Sequence, residues 1–212
     1  ILSRATSMPV MEVHDEPLVQ PNCVYVIPPD RNMIVSRGVL QLLPREQGRG
    51  RHQPIDFFFR SLAEDQADRA IGVILSGTAS DGTLGLEQIK AEGGITFAQD
   101  DTAQQGSMPH SAIATGCVDF VLSPAGIAAE IGRIARHPHL ALPAPARPRP
   151  VEADLGKVLA ILRRERDVDF SQYKASTLHR RIHRRMVLHK MEEAESYARF
   201  LRKNPGEVEA LY

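Results

Sequence analysis

One carboxylate in this 212-residue chain stands where chemistry is easily built. Asp81 lies in the turn Ser76-Gly77-Thr78-Ala79-Ser80-Asp81-Gly82, directly after the apolar run Ala70 to Leu75. Such a run reads as a strand buried on both faces of a parallel sheet. Loops at the carboxyl ends of those strands are where α/β proteins place their sites. Small side chains in the turn let backbone amides approach a ligand closely. Three chemistries then compete. A phosphate-binding turn would need a lysine after the second glycine, and Thr83 stands there. A structural turn would use Asp81 to cap the helix that follows. A catalytic loop would use Asp81 to orient a histidine, with nearby amides forming an oxyanion hole. The residues alone leave these open.

A second concentration of charge lies further on. Residues 171–190 hold six Lys and Arg and no carboxylate, while Leu178, Ile182 and Met186 recur at every fourth position. That spacing predicts a helix with one apolar face, capped by Ser176 or Thr177. Its basic face is either simply solvated or turned to an acidic partner. Nucleic acid is disfavoured, because few aromatic residues interleave the cations.

The elements that must position these groups follow from turn signals and periodicity. Cys23 to Ile27, Met33 to Ser36 and Val39 to Leu42 read as a short antiparallel meander punctuated by Pro28-Pro29-Asp30 and Gly38. Residues 44–54 are polar and read as a loop, and Pro54 opens a helix that reaches about Gln66. Strand and helix then alternate. After the strand Ala70 to Leu75, a helix runs through Leu84, Leu86, Ile89 and Lys90 to Gly93-Gly94. Ile95 to Ala98 is a strand, Pro109 to Thr115 a helix and Val118 to Leu122 a strand. Ser123 caps a last helix striped by Ile127, Ile131 and Ile134. This order predicts a parallel sheet with right-handed crossovers. Residues 137–150 hold five prolines in fourteen and read as a semi-rigid linker. Beyond it Asp154 to Arg166, Ser176 to Lys190 and Glu192 to Lys203 are helical in pattern. The expected organisation is an α/β domain over residues 1–136, the linker 137–150 and a small all-α domain over 151–212.

Composition narrows the class. Apolar residues make up 42% and charged residues 25%, with zero net charge, as in ordinary globular proteins. Residues 1–150 hold 13 Lys and Arg against 16 Asp and Glu, a balance of −3, and residues 151–212 hold 13 against 10, or +3. No apolar run approaches the roughly 18–20 residues of a membrane span. Cys23 and Cys117 read as reduced, buried thiols of a cytoplasmic protein, with no metal-ligand spacing. His110, His137 and His139 read as surface residues without a role. The chain starts at Ile1 and stops at Tyr212 with no start Met, signal pattern or cap, so it is expected to be an internal stretch of a longer protein.

The turn and its surroundings resemble the chemotaxis methylesterase family CheB. The likeness is carried by Gly77 to Gly82, Gly85, Ile89-Lys90, Gly93-Gly94 and Ala98-Gln99-Asp100, then by Met108-Pro109, Ala112-Ile113, Gly116 and Asp119 to Leu122. Upstream, Val24 to Pro29 and Pro54 to Phe59 continue it. The resemblance implies a three-layer, parallel-sheet methylesterase domain, here incomplete, and a Ser-His-Asp triad whose acid is Asp81. It puts the amide of Thr78 in the oxyanion hole. The family often has Gly where Ala79 stands, which would crowd the turn without removing a catalytic atom. The family's serine lies in a Gly-x-Ser-Thr-Gly-Gly turn with its histidine after it, and both precede the matched region. Ser3, Ser7, His14 and His52 are not in those contexts, so residues 1–212 alone are expected to be inactive as an esterase.

The basic helix resembles the small N-terminal helical domain of the methyltransferase family CheR, through Asp169-Phe170, Tyr173-Lys174, Thr177-Leu178 and Arg180 to Met186. The family's Thr-Gly before Asp-Phe is replaced by Asp167-Val168. The resemblance implies that Arg181, Arg184 and Arg185 contact the glutamate-bearing helix of a receptor, where a guanidinium fork suits carboxylates. Together the likenesses imply a bifunctional adaptation enzyme, a fusion that hydrolyses and forms glutamate methyl esters on methyl-accepting chemotaxis receptors. They imply no cofactor in the methylesterase part, and S-adenosylmethionine bound downstream of Tyr212. Neither nucleic acid nor direct membrane insertion is expected. The alternative is a non-catalytic scaffold or docking module derived from a methylesterase.

Overall fold

β-Branched residues between turn signals form the first strands. The computed structural model describes residues 2–45, 52–137, 156, 158–162 and 175–211. β1 (Val10–Glu12) and β2 (Val24–Val26) pair in parallel, Val10 opposite Val24. β3 (Arg31–Ser36) and β4 (Val39–Pro44) form an antiparallel hairpin, Ser36 opposite Val39. Arg37 and Gly38 both have positive φ, 51° and 75°, the backbone that a two-residue hairpin requires. The expected meander is therefore half right. Pro28 and Pro29 lack the amides that would extend β2 toward β3, and β2 pairs instead with β1, a strand too short and polar to announce itself.

α1 (Pro54–Gln66) packs on the hairpin. Val13, Met33, Val35 and Leu40 are buried there, with Phe58 and Leu62 of α1 against them. The Ser61 hydroxyl accepts the Val35 amide at 3.0 Å, tying helix to strand.

The alternating region folds as predicted. β5 (Ile71–Ile74), β6 (Ile95–Gln99) and β7 (Phe120–Leu122) form a parallel sheet in that order, joined by α2 (Thr83–Ala91) and α3 (Ser107–Ala114). Every residue of β6 is buried, as expected of a central strand. Leu86 and Ile89 of α2 are fully buried against Ile74, Ala63 and Ala112, each contributing roughly 1.5–3 kcal/mol. α4 (Pro124–Ile134) follows, with Ser123 Oγ accepting the Gly126 amide at 3.3 Å.

The chain divides into two compact units, Ile1–Ile127 and Ala128–Tyr212, the division falling within α4. The reason lies in three contacts within the second unit. Arg133 donates to the Val187 carbonyl at 3.0 Å, the His137 ring meets the Met191 carbonyl at 3.1 Å, and Glu130 pairs with Lys190 at 3.8 Å. The unit also contains α5 (Ala175–Leu188), α6 (Ala194–Lys203) and α7 (Pro205–Leu211), with residues 158–162 helical. The predicted stripe of Leu178, Ile182 and Met186 is its core, closed by Val158, Tyr197, Leu201 and Val208. Most of the expected linker, and most of the helix expected over Asp154 to Arg166, lie outside the described residues.

Two burial assignments are corrected. His137 is buried, because its ring serves the Met191 carbonyl. Cys23 is half-buried, while Cys117 is buried as expected, and that burial pushes its thiol pKa up. His110 is exposed beside Asp101, and His139 lies outside the described residues. No helix among the described residues is long and apolar enough to cross a membrane.

Candidate active site

The turn after β5 begins tightly stitched. The buried side chain of Gln99 accepts the Ser76 amide at 2.9 Å, and Ser76 Oγ accepts the Gln105 amide at 3.0 Å. The Gly77 amide donates to the Gln105 carbonyl at 2.9 Å and the Met108 amide to the Gly77 carbonyl at 3.1 Å. The connection from β6 to α3 thus holds the start of the turn. Thr78 and Ala79 then stand exposed, and among the described residues the Thr78 amide has no protein acceptor. Ala79 takes a left-handed backbone, φ 72°, at a cost of roughly 1–2 kcal/mol for an L residue.

Asp81 does cap a helix, but α1 rather than the helix that follows it. The N-cap of α1 is Gln53, which makes no side-chain cap bond, and Pro54 supplies no N–H. The next two amides, Ile55 and Asp56, donate to Asp81 Oδ2 at 3.1 Å and Oδ1 at 2.9 Å. α2 has the same deficit, since its N-cap is Gly82. Its Gly85 amide donates to Asp56 Oδ1 at 2.7 Å. Each helix is therefore capped by a carboxylate from the other's opening. Gly85 permits the approach: a Cβ there would lie 2.4 Å from Phe59 Cβ and 3.2 Å from Asp56 Cα.

Asp56 was not foreseen as part of this site. Burial lifts its carboxyl above the usual range; the Gly85 amide opposes that, and the charge of Asp81 adds to it. The available signal was a poor N-cap and a proline ahead of an acid, which leaves helix amides needing a distant acceptor. Gln99 holds the turn from beneath, and its only sequence signal is the Ala98-Gln99-Asp100 likeness.

Chemically, the turn presents one half-buried carboxylate with both oxygens oriented by amides. Each oxygen accepts one bond and retains capacity for another. An exposed backbone amide stands three residues earlier in the same turn. Among the described residues no histidine partners Asp81, and no cluster of His, Cys, Asp and Glu could hold a metal. The hydroxyl of Thr83, just after Gly82, is buried without a hydrogen-bond partner.

The basic helix separates its arginines. Arg181 is exposed and Arg184 half-buried on α5. Arg185, expected beside them at a receptor, is turned inward. Its guanidinium forks onto Glu207 of α7, through Nε at 2.7 Å and through Nη2. His189 and Tyr197 Oη complete the ring around Glu207 at 2.9 and 2.7 Å. That carboxylate is 5% exposed in its side chain, so Arg185 is needed as an internal counter-ion.

Comparison with known proteins shows what the two parts of the chain are similar to. Residues 1–131 match the family model of the CheB methylesterase, and residues 153–212 that of the CheR methyltransferase all-alpha domain. An uncharacterized 104.1 kDa protein in the hypE 3' region of Rhodobacter capsulatus is 36% identical over 100% of this chain and 24% of its own length. A putative protein-glutamate methylesterase/protein-glutamine glutaminase of Leptospira interrogans is 35% identical, covering 58% of this chain and 65% of its own. The protein-glutamate methylesterase FrzG of Myxococcus xanthus is 34% identical over 61% of this chain and 40% of its own. The crystal structure of the Thermotoga maritima CheB methylesterase catalytic domain superposes with a TM-score of 0.56 at 30% identity, covering 61% of this chain and 71% of that one. The chain spans about a quarter of the Rhodobacter relative and under two thirds of these two methylesterase relatives.

Proposed function

Through residues 1–131 the chain belongs to the CheB methylesterase family, and from that membership we propose that it carries the acid-bearing part of a protein-glutamate methylesterase site. The single observation behind this is the geometry of Asp81, whose two oxygens are held by the Ile55 and Asp56 amides yet keep capacity for a further donor. In the proposed reaction a serine hydroxyl attacks the methyl-ester carbonyl of a receptor glutamate. A histidine takes the hydroxyl proton, and Asp81 accepts the hydrogen bond of its other ring nitrogen and stabilises the imidazolium. The Thr78 amide donates to the oxyanion. Methanol leaves with the proton, and water then releases the glutamate.

The serine and histidine are proposed to come from sequence outside residues 1–212, so these residues alone are expected to hydrolyse no methyl ester. The match of residues 153–212 to the CheR all-alpha domain supports a second activity in the same polypeptide, methylation of receptor glutamates from S-adenosylmethionine bound outside this chain. Arg181 and Arg184 are the proposed receptor contacts, and the cytoplasm the proposed location.

Asp81→Asn in the gene's full-length product tests the reading. An amide cannot play the acid's role, and methylester hydrolysis should fall by on the order of 10⁴-fold. A loss below tenfold would make Asp81 a helix cap only, and favour a docking module in which the capped corner is purely architectural.

A further inference from the structure

The carboxylate of Asp81 has no support within its own turn: its partners are the amides of Ile55 and Asp56, on a different helix. Where Asp81 sits is therefore set by where the N-terminus of α1 sits. One residue governs that. Asp56 offers its amide to Asp81 Oδ1 at 2.9 Å and its own carboxylate Oδ1 to the Gly85 amide at 2.7 Å. It is 3% exposed, and Gln53 Nε2 donates to its other oxygen at 3.2 Å. We infer that Asp56 is a positioning residue for Asp81, clamping α1 to α2 so that the Asp81 carboxylate is presented in one orientation at the carboxyl end of β5.

This rests on Asp81 being the acid of the esterase. The bond from Gly85 to Asp56 and the bond from Asp56 to Asp81 act in series, so slack in the first becomes displacement in the second. Misplacement of a reacting group by about 1 Å costs on the order of 10²-fold in rate. The raised pKa of Asp56, caused first by burial and furthered by the charge of Asp81, is consistent with two carboxyl groups held at close quarters.

The test uses the full-length gene product, with Asp56→Ala, Asp56→Asn and Asp81→Asn assayed for methylester hydrolysis per titrated active serine. Asp56→Ala removes the acceptor for Gly85 and should lower kcat by about 10- to 100-fold with KM unchanged. Asp56→Asn keeps an oxygen for that amide and should recover most of the loss. A merely structural role would lower the folded fraction but leave kcat per active site as in the wild type, which overturns the inference while the esterase reading stands. If Asp81→Asn retains activity, the esterase reading itself falls and this inference with it. Should Asp56→Ala not fold, Asp56→Glu decides. It keeps the charge but moves the oxygens by one methylene, and an unchanged kcat overturns the inference whereas a fall at constant KM upholds it.

Discussion

Asp81 and Asp56 exchange places as caps. The Asp56 amide lies 2.9 Å from Asp81 Oδ1, while the Asp56 carboxylate reaches Gly85, four residues beyond Asp81, at 2.7 Å. Two helix openings without competent N-caps are thus satisfied by each other's acids. Buried helix N–H groups need an acceptor, and this arrangement provides it without a serine or threonine at either N-cap.

The cost of that arrangement is electrostatic and pH-dependent. Asp56 has its folded-state pKa raised above the ordinary aspartate range, first by burial. A raised carboxyl contributes stability below its unfolded pKa and loses it as pH rises through the folded one. Asp56→Asn should therefore leave stability at pH 7 within about 1 kcal/mol of wild type, while Asp56→Ala should lose about 1–3 kcal/mol by orphaning the Gly85 amide. Hydrogen exchange of the β6 amides at pH 7 would report both. Equal losses for the two variants would show that charge, not the acceptor oxygen, matters.

Much of this corner was legible beforehand. The run Ala70 to Leu75, the turn and Asp81 all stood out, because strand burial and turn chemistry are local in sequence. The partner of Asp81 did not, since Ile55 and Asp56 lie about 26 positions earlier and no periodicity links an N-cap deficit to a distant carboxylate. The parallel pairing of β1 with β2 was hidden likewise: three residues carry too little pattern to reveal a strand. Leu178, Ile182 and Met186 were read correctly as core. The neighbouring Arg185 is expected by resemblance at a receptor, because nothing local in the sequence signals the buried Glu207 that claims it, 22 residues on.

Ala79 is a second place where the turn bears strain. Its φ of 72° costs an L residue roughly 1–2 kcal/mol, and its exposed methyl has little packing to lose. Glycine would relieve this but adds about 0.4–1 kcal/mol of unfolded-state entropy to be overcome. Ala79→Gly should raise stability by up to about 1 kcal/mol, read as a higher urea midpoint at unchanged slope. A lower midpoint would mean that the methyl makes a favourable contact.

On the basic helix the two activities separate. Charge reversal at Arg181 and Arg184 in the full-length product should weaken receptor methylation by on the order of tenfold at low salt, with the deficit shrinking as ionic strength rises. Ester hydrolysis should stay at the wild-type rate, because these side chains belong to the second compact unit and Asp81 to the first. Loss of both activities together would make α5 a structural support rather than a receptor-reading face.

The ring around Glu207 predicts how the helical unit fails in acid. Burial works to raise this carboxyl, but the hydrogen bonds from Arg185 and Tyr197, the Arg185 charge and the His189 contact outweigh it, and the net shift is downward from 4.5. A depressed carboxyl contributes stability above its unfolded pKa and loses it as pH falls through the folded value. The helical unit should therefore hold its stability at neutral pH and lose it progressively below about pH 4.5. Glu207→Gln leaves the Arg185 charge without its counter-ion. The loss should fall near the lower end of roughly 3–5 kcal/mol, because the Arg185 side chain keeps 21% exposure and water can partly replace the carboxylate. The variant should also lose the share of the acid dependence that Glu207 contributes, keeping that of Glu130, whose carboxyl is held down first by the Arg133 hydrogen bond. Chemical denaturation followed by α-helical circular dichroism at pH 7 and pH 3.5 measures both effects. An unchanged midpoint at pH 7 would mean that Leu178, Ile182 and Met186 hold the three helices together without the buried ion pair.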